Sequence, residues 1–374
     1  MTAGVNSILV INAGSSSVKF QLFLREPALQ LLAKGKVDNL GNHPVFTAMN
    51  ETASVQNKST VNLPVNFTHE DALQWILKWV KSQKSYWQVC AVAHRIVHGG
   101  TQFPTSVRVT PEVITHLAEL CSLAPLHQPH NLAAIEMIAA LMPGIPQIAC
   151  FDTAFHANHG TLFTEYALPK KIRDKGIRRY GFHGLSYEWI AYALRLKAPK
   201  LAKGRVIAAH LGNGASLCAM HNGVSIDTTM GMTALDGLPM GTRCGQLDPG
   251  VVIYMIRDLG LSPDEVEAIF YQQSGLLALS EWTNDVSSLQ DSKEANAQFA
   301  LDYFCLKGAQ LIGMMAVALG GVDAIVFTGG IGENSCFVRE AILQRLAFLL
   351  PFETHVIPAN EERMMAMHAL SILE

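Results

Sequence analysis

The sequence has almost no excess of charge of either sign, with 28 Lys and Arg against 31 Asp and Glu in 374 residues. Because it has no basic surplus and no polybasic run, we expect neither a nucleic acid nor a membrane as a partner. No uninterrupted apolar stretch reaches the roughly 18 residues of a transmembrane helix, and no signal-like segment stands near the N-terminus. The seven scattered cysteines form no C-x-x-C pair, which favours reduced thiols and a cytoplasmic location.

Several common site motifs are also absent. There is no G-x-x-x-x-G-K-[ST] sequence, and Leu217 replaces the third glycine of a G-x-G-x-x-G that begins at Gly212. These absences argue against a P-loop enzyme and against a hydride-transfer cofactor. The H-E-x-x-H motif of zinc enzymes is missing too, and His94 and His98 would stand about 13 Å apart along a strand, too far for one metal.

Two segments share the order strand, polar turn, strand. In residues 8–23, an apolar run ends at Asn12, a turn with Gly14 and three serines follows, and Lys19 precedes a second apolar run. Residues 205–220 repeat this order around a turn at 212–216. Such turns offer N–H, hydroxyl and ammonium groups to a phosphate chain, although one alone is equally typical of an ordinary hairpin. The repetition favours duplicated domains that face a shared ligand across a cleft.

Short β-branched runs alternate with helical segments, which indicates an α/β fold. Capping residues and prolines mark the helix starts, and Gly-Gly marks one helix end. The predicted elements are short antiparallel strands within 42–66, helices from Thr68 through Trp79, after Thr110-Pro111 and after Ser262-Pro263, a helix over 296–319, a buried strand over 322–328, a Gly-rich turn over 329–334 and a helix from about Ser335.

Charged side chains stand where strands are expected to end or beside glycines. Arg95 and Asp152 follow apolar runs, His183 lies between Phe182 and Gly184, and Arg243 lies in a Gly-Thr-Arg-Cys-Gly segment. A neighbouring glycine lets a ligand approach closely. Any one of these residues alone is also compatible with a solvated arginine or a structural histidine.

Seven motifs in order resemble the acetate kinase family of short-chain acyl kinases, over about residues 8–367. They are 12–19 (NAGSSSVK), 94–100 (HRIVHGG), 151–156 (FDTAFH), 179–184 (RYGFHG), 210–216 (HLGNGAS), 241–243 (GTR) and 328–335 (TGGIGENS). The resemblance implies two duplicated ribonuclease-H-like domains, the fold of acetate and sugar kinases, Hsp70 and actin, closing over a nucleotide. It implies domains of residues 1–152 with 358–374 and residues 153–357, and a homodimer.

The resemblance also assigns roles to matching positions. Catalytic residues would be Arg95, His127, Asp152, His183 and Arg243. Mg²⁺ or Mn²⁺ would be held by Asn12 and Glu361. ATP or ADP would be bound by Ser15, Ser17, Lys19, His210, Leu211, Gly212, Asn213, Gly214, Asp285, Gly330, Ile331, Gly332, Glu333 and Asn334. The acyl substrate would contact Arg95, Val97, Leu126, Phe182 and Ala234.

The implied reaction is reversible phosphoryl transfer between ATP and acetate, which gives acetyl phosphate and ADP. A carboxylate is ionised at neutral pH and needs no general base, so arginines, a histidine and a metal would offset the repulsion between anions. Direct in-line transfer is favoured over a phosphorylated carboxylate. The chain departs from the family at Ala234, where the family has proline, and at Ser287, where it has arginine.

Three alternatives stay open at this point. Loss of the proline ring at Ala234 would admit one more methylene, so propionate is a second candidate substrate. A non-catalytic nucleotide sensor on the same fold would give no acyl phosphate. A nicotinamide-dependent dehydrogenase would show nicotinamide absorbance changes.

Overall fold

A computed structural model describes residues 5–14, 16–26, 29–51, 58–83, 87–125 and 127–374. The chain forms two compact units, one comprising Met1–Ala154 with Asn360–Glu374 and the other Phe155–Ala359. The chain therefore returns to the first unit at its C-terminal end. The boundaries expected from the sequence lie two residues earlier at each crossing.

The first unit is built on one mixed sheet with strand order β5-β4-β3-β2-β1-β6-β8-β7. Strands β1 to β5 are joined by antiparallel pairings, whereas β6 pairs with both β1 and β8 in parallel. Its elements are β1 Val5–Ala13, β2 Val18–Leu24, β3 Leu31–Asp38, β4 Val45–Asn50, β5 Lys58–Asn62, α1 His69–Ser82, β6 Trp87–Ile96, β7 Val107–Arg108, α2 Pro111–Glu119, α3 Gln128–Leu141, β8 Gln147–Phe151 and α15 Glu361–Leu373.

The second unit has a sheet of order β11-β10-β9-β12-β13. Its elements are α4 Thr161–Thr164, α5 Lys170–Arg173, α6 Gly184–Lys197, α7 Pro199–Ala202, β9 Arg205–Leu211, β10 Ala215–His221, β11 Val224–Thr228, α8 Pro249–Arg257, α9 Pro263–Gln272, α10 Gly275–Ser280, α11 Val286–Asp291, α12 Ala295–Leu319, β12 Ala324–Thr328, α13 Gly329–Asn334, α14 Cys336–Arg345 and β13 Glu353–Val356.

The two sheets share one topology. In the first unit an antiparallel trio, β3-β2-β1, is followed by the parallel strands β6 and β8. In the second unit the trio β11-β10-β9 is followed by the parallel strands β12 and β13. This common order confirms the duplicated fold predicted from the repeated hairpins.

Several helices cover the sheets and bury apolar side chains against them. In the first unit α1 and α3 bury residues such as Leu73, Ile76 and Ile138 in a core with Phe20 and Val92, while α15 packs against β1, β2, β6 and β8. In the second unit α6 and α7 pack against β9, and α12 packs against β9, β10 and β11. The strand ends that carry the motifs are thereby held in fixed positions.

Helix α12 is long and apolar enough to cross a membrane by length and composition, and 56% of its most apolar window is buried in the protein. The sequence contains no uninterrupted apolar stretch of that length because Asp302 and Lys307 interrupt the helix. Its packing against three strands of the second sheet accounts for its apolar character.

The predicted helix starts are confirmed, with N-caps at Thr68, Thr110 and Ser262 and capping boxes at the first and third. Helix α1 continues three residues beyond Trp79, to Ser82. The prediction of a turn over 329–334 was wrong, because this segment is the short helix α13. Glu333 Oε1 accepts hydrogen bonds from the backbone N–H groups of Gly329 and Ala359, at 3.0 and 2.9 Å, and so stabilises a helix that three glycines would disfavour.

Buried His94 makes the stability of the fold sensitive to acid. Its Nε2 lies 2.7 Å from Gln147 Oε1, and its buried Nδ1 has no hydrogen-bond partner among the described residues. Burial lowers the pKa of His94 to about 4. In the unfolded chain this histidine is protonated below about pH 6.5, whereas in the folded chain it stays neutral down to about pH 4. The free energy of unfolding therefore falls as the pH drops from about 6.5 toward 4.

We expect acidification to cost on the order of 1–3 kcal/mol through this residue, measured by urea unfolding at pH values above 7 and near ~5. His94→Gln keeps a donor for Gln147 but cannot be protonated, so its stability should fall less steeply with acid. Equal slopes for the variant and the parent chain would contradict this assignment. Other buried histidines leave a residual slope in both proteins.

Candidate active site

In the first unit, Arg95 is held at the carboxyl end of β6 by two neighbouring strands. Its Nη2 donates to Asp152 Oδ2 at 2.6 Å, its Nε lies 3.1 Å from both oxygens of Asp152, and its Nη1 donates to Asn12 Oδ1 at 3.4 Å. These contacts follow from the parallel pairing of β1, β6 and β8, whose carboxyl ends share one edge of the sheet. The carboxylate and amide fix the plane of the guanidinium.

The electrostatics around this ion pair depend on four charged groups. Burial raises the pKa of Asp152, the Arg95 guanidinium opposes that rise, and Glu361 adds to it. Burial alone would lower the pKa of Arg95, but Asp152 and the two glutamates at the start of α15, Glu361 and Glu362, raise it. Burial and then Glu361 raise the pKa of Glu362. Arg95, together with Lys19, therefore balances a local excess of carboxylates.

Two side chains from helices α1 and α3 donate hydrogen bonds to the backbone of the turn between β1 and β2. Asn131 Nδ2 donates to Ala13 O at 2.7 Å, and His69 Nε2 donates to Gly14 O at 2.8 Å. Asn131 Oδ1 also accepts from Val97 N at 3.0 Å, so one buried amide ties this turn to the end of β6. The turn is closed by Gly14 N donating to Ser17 O at 2.8 Å.

Of the predicted phosphate-loop residues, Ser17 is half-buried and Lys19 is exposed on β2, whereas Ser15 lies outside the described residues. His127 is the N-cap of α3 and makes no side-chain capping bond. Val97, whose N–H is bound by Asn131, is buried, with 7% of its surface exposed. Leu126, predicted to line the acyl site, also lies outside the described part of the chain.

In the second unit, His183 is held in an unusual backbone conformation. It is the N-cap of α6 with φ 57° and ψ 24°, a left-handed conformation that costs a non-glycine residue roughly 1–2 kcal/mol. Its Nδ1 lies 2.8 Å from Ser216 Oγ, which is also in hydrogen-bond contact with the Tyr187 hydroxyl. Such strain persists only where surrounding contacts compensate for it, and it is common at active sites.

His183 and Arg243 meet at Gly214 of the second predicted phosphate turn. A Cβ on Gly214 would lie 3.3 Å from Arg243 Nη2 and 3.4 Å from His183 Nε2. Arg243 is oriented by Nη1, which donates to Ala234 O at 2.8 Å. The ring of His183 stacks on that of His210 with centroids 4.3 Å apart. Glycine at this position therefore leaves room for a ligand beside an imidazole and a guanidinium.

A cavity of about 630 Å³ lies where β9 and β12 end, next to the turn that carries Gly214. Thr328 pairs with His210 across these parallel strands, which brings the two Gly-rich segments together. Six predicted nucleotide-binding residues line the cavity, Gly212, Asn213, Asp285, Gly330, Ile331 and Asn334.

Other predicted positions in this unit have structural roles in addition. Asp285 caps α11 by accepting a hydrogen bond from Ser288 N at 2.9 Å. The Glu333 carboxylate accepts a hydrogen bond from Gly329 N within α13. The side chains of Leu211 and Phe182 are buried in the protein. Gly332 is also buried, in α13.

Known proteins match this chain over nearly its full length. The family model described as the Acetokinase family matches residues 7–366. This chain belongs to the Acetokinase family. An acetate kinase from Rhodopseudomonas palustris is 47% identical over 346 residues, 91% of this chain and 86% of that protein.

Two solved structures resemble the fold over nearly its full length. The acetate kinase of Porphyromonas gingivalis superposes with a TM-score of 0.87 at 34% identity, covering 99% of this chain and all of that one. A propionate kinase from Francisella tularensis superposes with a TM-score of 0.90 at 34% identity, covering 97% of this chain and 98% of that one. The Acetokinase family membership and the kinase fold predicted from the motifs are thus confirmed.

Sequence reasoning missed the residues that support the site. Asn131 lies in the Pro-Leu-His-Gln-Pro-His-Asn segment, close to the predicted His127. Its position near the start of a helix was the only sequence signal of a supporting role in the site. Ser216 belongs to a quoted motif, but its contact with His183 joins residues 33 positions apart. Among the described residues, no group of three His, Cys, Asp or Glu side chains gathers to hold a metal.

Proposed function

We propose that this chain is an acetate kinase that transfers a phosphoryl group reversibly between ATP and acetate by direct in-line attack. The observation that carries the proposal is the guanidinium of Arg95, held in one plane by buried Asp152 and by Asn12 in a chain of the Acetokinase family. A planar fork of N–H donors suits a carboxylate or a phosphoryl group, which a lysine would bind only as a point charge.

Transfer between two anions requires the protein to supply positive charge and hydrogen-bond donors that offset their repulsion. Acetate is already ionised, so no residue has to remove a proton before attack. Asp152 and Asn12 use three of the five N–H groups of Arg95, and the remaining two can face an anion. Asp152 thus serves as the orienting partner of the arginine in this proposal.

His183 supplies a donor for charge that develops on the phosphoryl oxygens. When Tyr187 donates to Ser216 and Ser216 donates to His183 Nδ1, the imidazole carries its proton on Nε2, the atom that faces Gly214. A neutral ring fixed in this tautomer needs no reorganisation during the reaction. Arg243 Nη2, beside the same glycine, adds a cation.

The first unit also contains a set of oxygen donors suited to a divalent cation. Asn12 offers an amide oxygen, and Glu361 stands at the start of α15 where its charge raises the pKa of Asp152 and of Glu362. Mg²⁺ prefers oxygen ligands and keeps several waters, so few protein ligands suffice. We propose that Asn12 and Glu361 hold Mg²⁺ or Mn²⁺, which would neutralise charge on the nucleotide phosphates when bound.

We expect acetate to be the preferred acceptor and propionate a slower second. One methylene changes discrimination by only ~1–3 kcal/mol, and Ala234 has a smaller side chain than the proline of the family. A hydroxamate assay with acids of two to four carbons, against ATP and GTP, measures this. Ala234→Pro should raise the acetate-to-propionate ratio of kcat/KM, and a kcat/KM for propionate above that for acetate would overturn the preference.

We also propose that the chain forms a homodimer through α8. This helix has no buried residue, although Val251, Ile253, Tyr254 and Ile256 are apolar and 39% to 55% exposed. Apolar side chains exposed around most of a helix favour association with a second copy. Ile253→Glu should give monomers in sedimentation analysis, whereas Leu162→Glu, at an isolated exposed position on α4, should not. A dimer that survives Ile253→Glu would contradict α8 as the interface.

A cytoplasmic location is part of the proposal. All seven cysteines are free thiols. Free thiols persist in a reducing compartment, which supports this assignment.

A further inference from the structure

Three side chains form a hydrogen-bonded network, and one of them, His156, contacts the segment that carries His183. His156 Nε2 lies 3.0 Å from the Phe182 carbonyl oxygen, and His156 Nδ1 lies 2.8 Å from Ser225 Oγ. His159 Nε2 lies 2.6 Å from the same Ser225 oxygen. His156 and Ser225 are 2% and 3% exposed, so water competes little for these bonds.

The donors in this network follow from the acceptors. A carbonyl oxygen can only accept, so His156 Nε2 carries the proton that binds Phe182. The bare Nδ1 of His156 then accepts from the Ser225 hydroxyl, and His159 Nε2 donates to the Ser225 oxygen. Burial lowers the pKa of His156 to about 4 and that of His159 to about 3. Both rings are therefore neutral at physiological pH, and the direction of the chain is fixed.

The network contacts a turn of unusual backbone conformation, which is also held by hydrogen bonds from Tyr180 N and Gly181 N to Gly231 O at 3.0 and 3.2 Å. Gly181 has φ 79° and His183 has φ 57°, so two of three successive residues have left-handed backbone. A Cβ on Gly181 would lie 2.8 Å from the His156 ring, which shows how closely the turn packs on this histidine. The Phe182 carbonyl oxygen, between these two residues, accepts a hydrogen bond from His156 Nε2.

We propose that His159, Ser225 and His156 form a positioning relay that holds the Phe182 carbonyl and thereby sets the place of the His183 imidazole. The proposal rests on the role of His183 given above. The relay exchanges no proton with substrate. Its effect is on geometry, because a displacement of about 1 Å at a catalytic group can cost around 10²-fold in rate.

The relay predicts a difference between two substitutions at one position. His156→Gln keeps an N–H donor near the position of Nε2, so we expect kcat close to that of the parent chain. His156→Phe keeps the ring shape and removes the donor, so kcat should fall about 10²-fold while KM for ATP stays unchanged. His221→Gln, at an exposed site on β10, is the matched control and should leave both constants unaltered.

A double-mutant cycle separates this inference from the role of His183 itself. Ser225→Ala removes one oxygen and provides a second route if His156→Phe does not fold. Ser225→Ala should lower kcat in the parent chain and have no further effect in a His183→Ala background. Additive losses, or equal kcat for His156→Gln and His156→Phe, would overturn the relay. Full activity of His183→Ala alone would instead overturn the proposed role of His183.

Discussion

Replacing Arg95 with alanine is expected to lower kcat/KM for acetate by at least about 10³-fold, as the loss of an arginine that stabilises phosphoryl transfer does elsewhere. The guanidinium is held by Asp152 and Asn12 in the orientation that two anions require. Arg95→Lys keeps the charge but loses the planar fork, so we expect it to recover only a small part of the activity. Steady-state kinetics with acetate and ATP measure both variants.

The same substitution should destabilise the first unit. Asp152 is 2% exposed, and removing its partner leaves a buried carboxylate unpaired. Breaking a buried ion pair in this way costs ~3–5 kcal/mol, which urea unfolding would report. Adding Asp152→Asn to Arg95→Ala should restore part of the stability without restoring activity. Recovery of activity in that double variant would show that the pair is structural only.

A matched control exists on the second unit. Arg205 forms an ion pair with Asp323 at 2.6 Å, away from the residues assigned to the reaction. Both side chains are more than a third exposed, so solvent weakens the pair. Arg205→Ala should therefore leave kcat and KM unchanged. A loss as large as that of Arg95→Ala would mean that any Arg–Asp pair in this fold is needed for activity.

Replacing His183 with alanine is the second large effect that we expect, a fall in kcat of about 10²–10³-fold, the usual consequence of losing one preorganised donor. KM for acetate should change little, because Nε2 acts on charge that develops during transfer. His183→Gln keeps a donor and should retain more activity than alanine. A rise in KM with an unchanged kcat would assign His183 to substrate binding instead.

His183→Ala also tests the tautomer chain through Ser216. If Ser216 donates to His183 Nδ1, Ser216→Ala should lower kcat in the parent chain and have no effect once His183 is gone. His221→Ala, which removes an exposed imidazole from β10, should match the parent enzyme. Additive losses for Ser216 and His183 would contradict the proposed chain of donors.

Local sequence signals were sufficient for much of the fold. Strand, turn and strand at Asn12 and again at His210 implied two copies of one sheet, and both sheets have the same strand order. Arg95 and Asp152 were each expected at the end of a strand, and the parallel pairing of β6 with β8 brings them together. Capping residues such as Thr68 and Ser262 act within one helical turn and need no tertiary context.

Contacts made at long range could not be predicted in the same way. Glu361 influences Asp152 only because α15 packs back onto the first sheet, more than 200 residues along the chain. The left-handed conformation of His183 depends on neighbours such as Ser216 that lie on another strand. Three glycines disfavour helix α13, but the Glu333 side chain stabilises it by accepting a hydrogen bond from Gly329 N at its first turn. In each case tertiary contacts outweigh local preference.

Direct transfer between the nucleotide and the acyl carboxylate involves no phosphorylated Asp152 or Glu361. Incubation with Mg²⁺, acetate and ATP made chiral at the γ-phosphorus by oxygen isotopes tests it most directly. A single in-line displacement inverts the configuration at phosphorus, and we predict acetyl phosphate of inverted configuration. Acetyl phosphate formed with net retention would require two displacements and a phosphorylated carboxylate, which would contradict direct transfer.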